Sequence, residues 1–383
     1  MNVHLYPSDF TSESRILKIT EAITTEGIFD HVLMLGTWRG GLPRTQEVDA
    51  RSEIRRLGRS KMGGHLLRKV CGTLDWYRAV WRELRGQRVD CLNCHSLPIL
   101  PLCIALKWRH RSILVYDTHE LETETAGSTR FRKTIMKLLE RACIRFVDST
   151  FVVGDRIGRW YRETYKIDPV VIKNMPRRVA IGTKPSDLRA RCGIPQEAVV
   201  FIYLGIVAPA RGIKRTIELF EECPQFHVIF MGDGPLSKEV ACAHERHPNI
   251  HYVPAVHPAD VAAVARGADV GILLQPITCL SYAYTSPNKF FEYLQAGLPV
   301  MVPDDAVELR ELVELHGIGW AVPQNQSEIL TRLRGIDRGA IEQARRSVLR
   351  IQPQMHWDVE RAKLVDAYRA IVGRALTKKS RDA

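Results

Sequence analysis

The run VVFIYLGIVAPARGIKR, residues 199–215, decides the fold of this chain. Six apolar or aromatic residues in succession, with no polar alternation, suit a strand covered on both faces, as strands of parallel sheets are. Gly205 ends that strand, and Gly212 stands where a helix begins. Strand, glycine turn and helix in this order make half of a βαβ unit. Downstream the rhythm repeats in HVIFMG (227–232), IHYVP (250–254), DVGILLQP (269–276), PVMVP (299–303) and GWAV (319–322). Upstream it appears in NVHLY (2–6), HVLML (31–35), VDCLNC (89–94), SILVYD (112–117), TFVVG (150–154) and VVIKN (170–174). The segment MPRRVAIGTKPSDLRARCGIP (175–195), basic and rich in helix breakers, interrupts it as an interdomain linker does.

The 383 residues suffice for two cores. The expectation is an α/β protein of two Rossmann-like parallel-sheet domains, residues 1–175 and 196–353, joined by a linker at 176–195 and facing a central cleft. In the tail, 354–383, Trp357, Ala362, Leu364, Tyr368 and Ile371 fall near one helical face, which predicts a terminal helix packing back on the N-terminal domain.

The formal net charge of +12 is carried entirely by residues 1–190, with 33 Lys and Arg against 21 Asp and Glu. The densest part, Arg51 to Arg88 with IRRLGRSK at 54–61, suits an anionic membrane surface, a phosphorylated acceptor, or merely a solvated basic helix face. No recognition helix, RNA-binding or zinc motif accompanies the cations, so nucleic acid is not expected as a partner. MNVHLY reads as a strand and not as the start of a signal peptide, and the most apolar stretch, 91–106, is too short and polar to span a bilayer. The protein is expected in the cytoplasm, peripheral to the inner face of the membrane, with its nine cysteines reduced. Cys91-Leu-Asn-Cys94-His95 matches the letters of a haem-attachment motif, but in a strand-like run it reads as strand filler.

In open parallel sheets ligands bind outside the carboxyl ends of the strands, and candidate residues sit at those ends. In TSPNKFFEYLQAGLPV (285–300), Ser286 and Pro287 form a helix entry, where unpaired N–H groups and the dipole favour a diphosphate. Lys289 adds charge, and Glu292, one turn on from Asn288, can accept ribose hydroxyls. Arg211, Lys214 and Arg215 at another helix start oppose its dipole, which calls for an anion between them. Gly232 and Asp233 in GDGP form a turn that lets a ligand approach the backbone. In the first half, YDTHELETE (116–124) places Asp117, His119, Glu120, Glu122 and Glu124 at a strand end, and the hydroxyl-rich loop YPSDFTSESR (6–15) offers Ser12, Ser14 and Arg15.

These motifs, in this order, resemble the retaining glycosyltransferases of family 4, the glycosyl transferases group 1, which have the GT-B architecture. The resemblance rests on YDTHE, the loop LG-x6-RG, GDGP, SPNKFFEYLQAGLPV and the terminal W-x10-Y helix. It implies transfer of a sugar from a nucleoside diphosphate donor, with retention, no cofactor and no metal, to a lipid-linked or saccharide acceptor. Carried over by position, His119, Glu120 and Arg211 would be catalytic. Gly205, Arg211, Lys214, Gly232, Asp233, Val256, Tyr284, Ser286, Pro287, Asn288, Lys289 and Glu292 would bind the donor. Ser12, Ser14 and Arg15 would lie on the acceptor side. Tyr284 stands where the family commonly has a second glutamate, and Ile206 where it commonly has an arginine. These departures motivate a second reading, a catalytically impaired subunit that binds nucleotide-sugar or scaffolds a complex. Nucleotide-sugar 2-epimerisation is a third, for which no additional acid or base residues present themselves.

Overall fold

Strands form where the chain offers uninterrupted apolar runs, as shown by a computed structural model that describes residues 1–11, 13–58, 66–127, 129–178 and 188–381, without the side chains of 66–71, 376 and 378–381. The chain divides into two compact units, Met1–Ile172 with Arg361–Ala383, and Lys173–Glu360. Of the expected linker, residues 179–187 lie outside the described part, and Leu188–Arg191 forms one helical turn.

The first unit holds strands β1 (Asn2–Leu5), β2 (Val32–Thr37), β3 (Thr45–Asp49), β4 (Ser52–Leu57), β5 (Cys91–Cys94), β6 (Ile113–Asp117), β7 (Ser149–Val152) and β8 (Val170–Val171). They form one sheet in the order β3-β4-β2-β1-β5-β6-β7-β8, parallel except for the β3–β4 pair. The chain starts at β1, winds one way through β2 and β4, then returns to the other side of β1 with β5. The point of reversal, between β1 and β5, leaves a crevice at their carboxyl ends.

Within the basic part from Arg51 to Arg88, the start of IRRLGRSK (54–61) lies on strand β4 and not on a helix face. Residues 52–57 alternate buried and half-buried, and their arginines are used inside the unit. Arg56 is 2% exposed and donates to the carbonyls of Asp9 (2.6 Å) and Pro43 (2.9 Å) and to Gln46 Oε1 (2.8 Å). Arg55 spans Glu53 (2.6 Å) and Glu83 (2.5 Å). Residues 59–61 of that stretch are outside the described part.

The second unit holds β9 (Val199–Leu204), β10 (Phe226–Met231), β11 (Ile250–Val253), β12 (Val270–Ile272), β13 (Val300–Pro303) and β14 (Gly319–Val322). Their order, β11-β10-β9-β12-β13-β14, all parallel, is that of a doubly wound dinucleotide-binding sheet. Along β9 the residues alternate between two cores: Val200, Ile202 and Leu204 pack into one with Phe290 and Leu294, and Phe201 and Tyr203 into the other with Phe220 and Phe230. Both faces of the strand are therefore dry, which is why its sequence shows no alternation.

The tail is a helix, Trp357–Arg381, whose residues from Arg361 onward belong to the first unit. Tyr368 anchors it there, donating to Asn93 Oδ1 at 2.6 Å and meeting the rings of Phe151 (5.4 Å) and Phe29 (6.2 Å) edge-on. Leu364, Val365 and Ile371 are buried beside it, while Ala362, expected on the packed face, is exposed. Fold, sheets and terminal helix together are those of a GT-B protein.

Candidate active site

In the second unit the carboxyl ends of β9 and β10 meet backbone to backbone. Gly205 has φ +107° and Gly232 φ +147°, and a Cβ on Gly232 would lie 2.0 Å from the Gly205 carbonyl oxygen. Only glycine permits that approach. Above it opens a cavity of about 310 Å³ lined by Gly205, Ile206, Gly232, Asp233, Val256 and Glu292 among others. The Asp233 carboxylate faces the cavity wall, accepting from Tyr252 Oη (2.8 Å) and the Ala255 N–H (3.2 Å), so it braces the loop that carries Val256.

The helix Asn288–Gln295 starts beside this cavity with Pro287 as its cap residue and no side-chain cap. The Phe290 N–H turns back to the Pro287 carbonyl at 3.0 Å, no side chain caps the helix start, and the dipole points its positive end outward there. Lys289 lies in the first turn, half-buried, its Nζ 4.0 Å from the centre of the Tyr203 ring. Burial, and then the neighbouring Arg211 guanidinium, push its ammonium down to about 7 against the pull of Glu292. Arg211 follows Ala210, which holds the left-handed φ of +61°, a conformation costly for a residue with a side chain. Its Nη1 is 3.4 Å from Gln275 Oε1. Two basic side chains beside an uncapped helix start have the chemistry to hold an anion.

Other expected donor residues are used elsewhere. Lys214 is exposed and pairs with Glu239 at 3.5 Å, away from the Arg211 group. Ser286 is buried and donates to Glu308 Oε1 at 3.4 Å, a carboxylate that lies 3.9 Å from Lys173 Nζ. Asn288 is exposed, its Oδ1 accepting from Asn174 Nδ2 at 2.8 Å. Tyr284 is half-buried at the end of the short helix Leu280–Tyr284.

In the first unit the crevice between β1 and β5 is filled by a histidine string. His4 Nδ1 lies 2.8 Å from His95 Nε2, and His95 Nδ1 lies 3.2 Å from both Asp117 Oδ2 and His119 Nε2. His119 Nε2 is 3.5 Å from the same Asp117 oxygen. Arg15 clamps Asp117 through Nε and Nη2, at 2.6 to 3.2 Å, and donates from Nη1 to the Ile172 carbonyl at 2.7 Å. Burial would push Asp117 up, but Arg15 and the hydrogen bonds from the two histidines hold it well below the usual carboxylate range. Burial pushes His95 down to about 4 and His4 well below the usual range. Both are therefore neutral near pH 7, with one consistent arrangement: His4 Nδ1–H donates to His95 Nε2, and His95 Nδ1–H donates to Asp117. His119 presents a half-exposed ring over this base, tilted against Tyr6 at 5.6 Å. One ligand atom each from His95, Asp117 and His119 lie within 4.8 Å of one another, a set that suits a metal by atom type, although Arg15 already balances the Asp117 charge.

Glu122, just beyond His119, accepts from the Leu97 N–H (2.8 Å) and Ser96 Oγ (3.1 Å), and burial pushes it up to about 7. Its folded value lies above that of an unfolded glutamate. Between about pH 4.5 and 7 the unfolded chain therefore sheds a proton the folded chain keeps, and this group's contribution to stability, full below that window, is lost as pH rises through it. Glu122→Gln is expected to gain roughly 1–3 kcal/mol over wild type at about pH 8 and nothing at about pH 4, read by urea denaturation.

Residues 12–177 match the glycosyl transferase 4-like domain, and residues 198–334 match the glycosyl transferases group 1 domain, in the order found along the chain. The chain belongs to the group 1 glycosyltransferases. No curated protein matches its sequence. Among solved structures, sucrose-phosphate synthase from Thermosynechococcus elongatus superposes with a TM-score of 0.77 at 16% identity, covering 97% of this chain and 99% of that one. HepE from Anabaena, solved with UDP, gives 0.69 at 15% over 96% and 99%. The catalytic domain of starch synthase IV from Arabidopsis thaliana, solved with ADP and acarbose, gives 0.68 at 10% over 97% and 99%.

In this glycosyltransferase the structure brings Gly205, Gly232, Asp233, Val256 and Glu292 to one cavity, and places Lys289 and Arg211 close enough to act on each other. On the acceptor side, Arg15 is a correction: it is 3% exposed and clamps Asp117, which leaves it no face toward an acceptor. Ser14 is exposed at the start of the helix Ser14–Thr25, and Ser12 is outside the described residues. Glu120 is half-buried, its carbonyl accepting from Thr118 Oγ1 at 2.5 Å. His4, His95 and Tyr203 were not anticipated. The strand-end rule that singled out His119 points equally to His95, one residue past β5.

Proposed function

We propose that this glycosyltransferase moves a sugar from a nucleoside diphosphate sugar to a lipid-linked or polysaccharide acceptor, with retention of anomeric configuration and without a resident metal. The observation that carries the reading is the pairing of Lys289 with Arg211 at an uncapped helix start beside a glycine-floored cavity. In it the base and ribose occupy the cavity, Glu292 accepts from the ribose hydroxyls, and the two cations with the helix N–H groups hold the diphosphate. Charge grows on that diphosphate as the glycosidic bond breaks, so groups fixed around it stabilise the transition state more than the bound donor. His119 and Glu120 serve the sugar side. UDP and ADP, seen with HepE and starch synthase IV, are the first nucleotides to try. The working place is the cytoplasmic membrane face; among the described residues no helix is long and apolar enough to cross a bilayer.

Calorimetric titration with UDP, GDP, ADP and their sugar conjugates tests the donor site. One of them is expected to bind saturably, and Glu292→Ala to weaken it by roughly 10- to 100-fold through lost charged hydrogen bonds. Turnover unchanged by EDTA supports metal independence, and inactivation restored by a divalent ion removes it. Ile206, 63% exposed at the cavity rim where the family commonly has an arginine, favours the second reading of an impaired subunit. Release of nucleoside diphosphate with any acceptor excludes that reading.

A further inference from the structure

We infer that the outer face of the helix Arg130–Cys143 is a docking surface for an anionic lipid bilayer. The helix has a buried inner face and an exposed apolar outer one. Its inner face holds buried Cys143 and Glu140, whose carboxylate is gripped by the hydroxyls of Tyr116 (3.2 Å), Tyr161 (2.5 Å) and Tyr165 (2.8 Å). Half a turn around, Phe131, Ile135 and Leu138 form a stripe at spacings of four and three, and they are 77%, 46% and 62% exposed. The helix is thus pinned from behind and capped by Thr129, whose side chain accepts from the Arg132 N–H, while its front presents three large apolar side chains.

Charge decides what covers that stripe. The helix has five cations and one carboxylate, and that carboxylate is the buried Glu140. Lys133 and Lys137 lean on Glu124, on the neighbouring turn. Arg130 and Arg141 flank one side of the stripe and Arg132 the other, all exposed. Beyond the helix end, Arg145 lies over the Phe146 ring, which meets Trp108, 62% exposed, edge-on at 5.4 Å. Apolar stripe, arginine borders and a nearby tryptophan are the features of a helix lying in the plane of an anionic interface. A second copy of this chain would bring the same cations against these and repel. The surface differs from the basic stretch IRRLGRSK (54–61), whose Arg55 and Arg56 are used inside the first unit. It deepens the membrane-face part of the proposed function, on which it rests, and is independent of the donor chemistry.

Flotation of the whole chain with phosphatidylglycerol-containing vesicles, against phosphatidylcholine vesicles, tests the inference without reading donor binding or turnover. Wild type is expected to float with the anionic vesicles, less as salt rises. Phe131→Glu/Leu138→Glu, at exposed sites that leave the fold intact by thermal melting, is expected to float at least about tenfold less. Arg130→Gln/Arg132→Gln/Arg141→Gln is expected to lose the salt-sensitive part. Wild type that stays with neither vesicle, a glutamate variant that floats like wild type, or a dimer that only the glutamate variant dissolves overturns the proposal.

Discussion

Replacing Arg211 and Lys289 together by alanine is expected to lower kcat/KM by roughly ten-thousandfold, and each alone by about a hundred- to a thousandfold. The reasoning starts from the free protein. Lys289 lies half-buried, and burial and then the neighbouring Arg211 charge lower its proton affinity, so keeping it charged here costs free energy. A fold tolerates such an arrangement when a ligand relieves it. A bound diphosphate does so, and the departing diphosphate, carrying more charge, does so more strongly. The loss therefore appears in kcat as well as KM, measured as initial rates over a range of donor concentrations. Thermal stability of Lys289→Ala should hold or rise, since the substitution removes a like-charge contact from the folded state. A loss below tenfold in the double variant, with the fold intact, would remove the diphosphate from this site.

Much of this arrangement is legible in the sequence, and the reasons the rest is not are physical. Continuous apolar runs located β9 and β10 because both faces of the sheet are covered, and glycines at 205 and 232 marked the turns. Why position 232 must be glycine is tertiary: the obstacle is the Gly205 carbonyl, 27 residues away. β4 escaped notice because SEIRRL buries a guanidinium. Arg56 is satisfied by the carbonyl of Asp9 in the loop after β1, the carbonyl of Pro43 just before β3 and the side-chain amide of Gln46 on β3, partners that periodicity does not display. Ser286 and Lys214 sit at helix starts, as expected, but the direction of a side chain there is set by its partner, Glu308 for one and Glu239 for the other. In the sequence His95 is one letter of a cysteine pattern, which hides it. Its role depends on β1 lying beside β5, which brings His4 within 2.8 Å across the sheet. The hidden residues are thus mostly charged or ring-nitrogen groups whose burial is made affordable by distant partners.

Donor binding should also take up a proton, with an affinity that falls about tenfold per pH unit above 7. Lys289 titrates near 7 in the free protein, pushed down by burial and Arg211. At about pH 8 most molecules hold it as a neutral amine. A diphosphate beside it favours the ammonium, so the complex binds more protons than the free protein through the region above 7, and affinity declines as pH rises there. Below about pH 6 the lysine is already charged, and affinity levels off. A nucleoside diphosphate sugar is the right probe, because its pyrophosphate is esterified at both ends, whereas a free terminal phosphate titrates near pH 6 on its own account. Calorimetry at about pH 8 in buffers of different ionisation enthalpy should show uptake approaching one proton per donor, vanishing at about pH 6. Lys289→Met keeps the apolar stem over Tyr203 but no titrating group, and should bind more weakly with neither proton uptake nor pH slope. Uptake that persists in Lys289→Met would assign the proton to another group and return Lys289 to a packing role against the tyrosine ring.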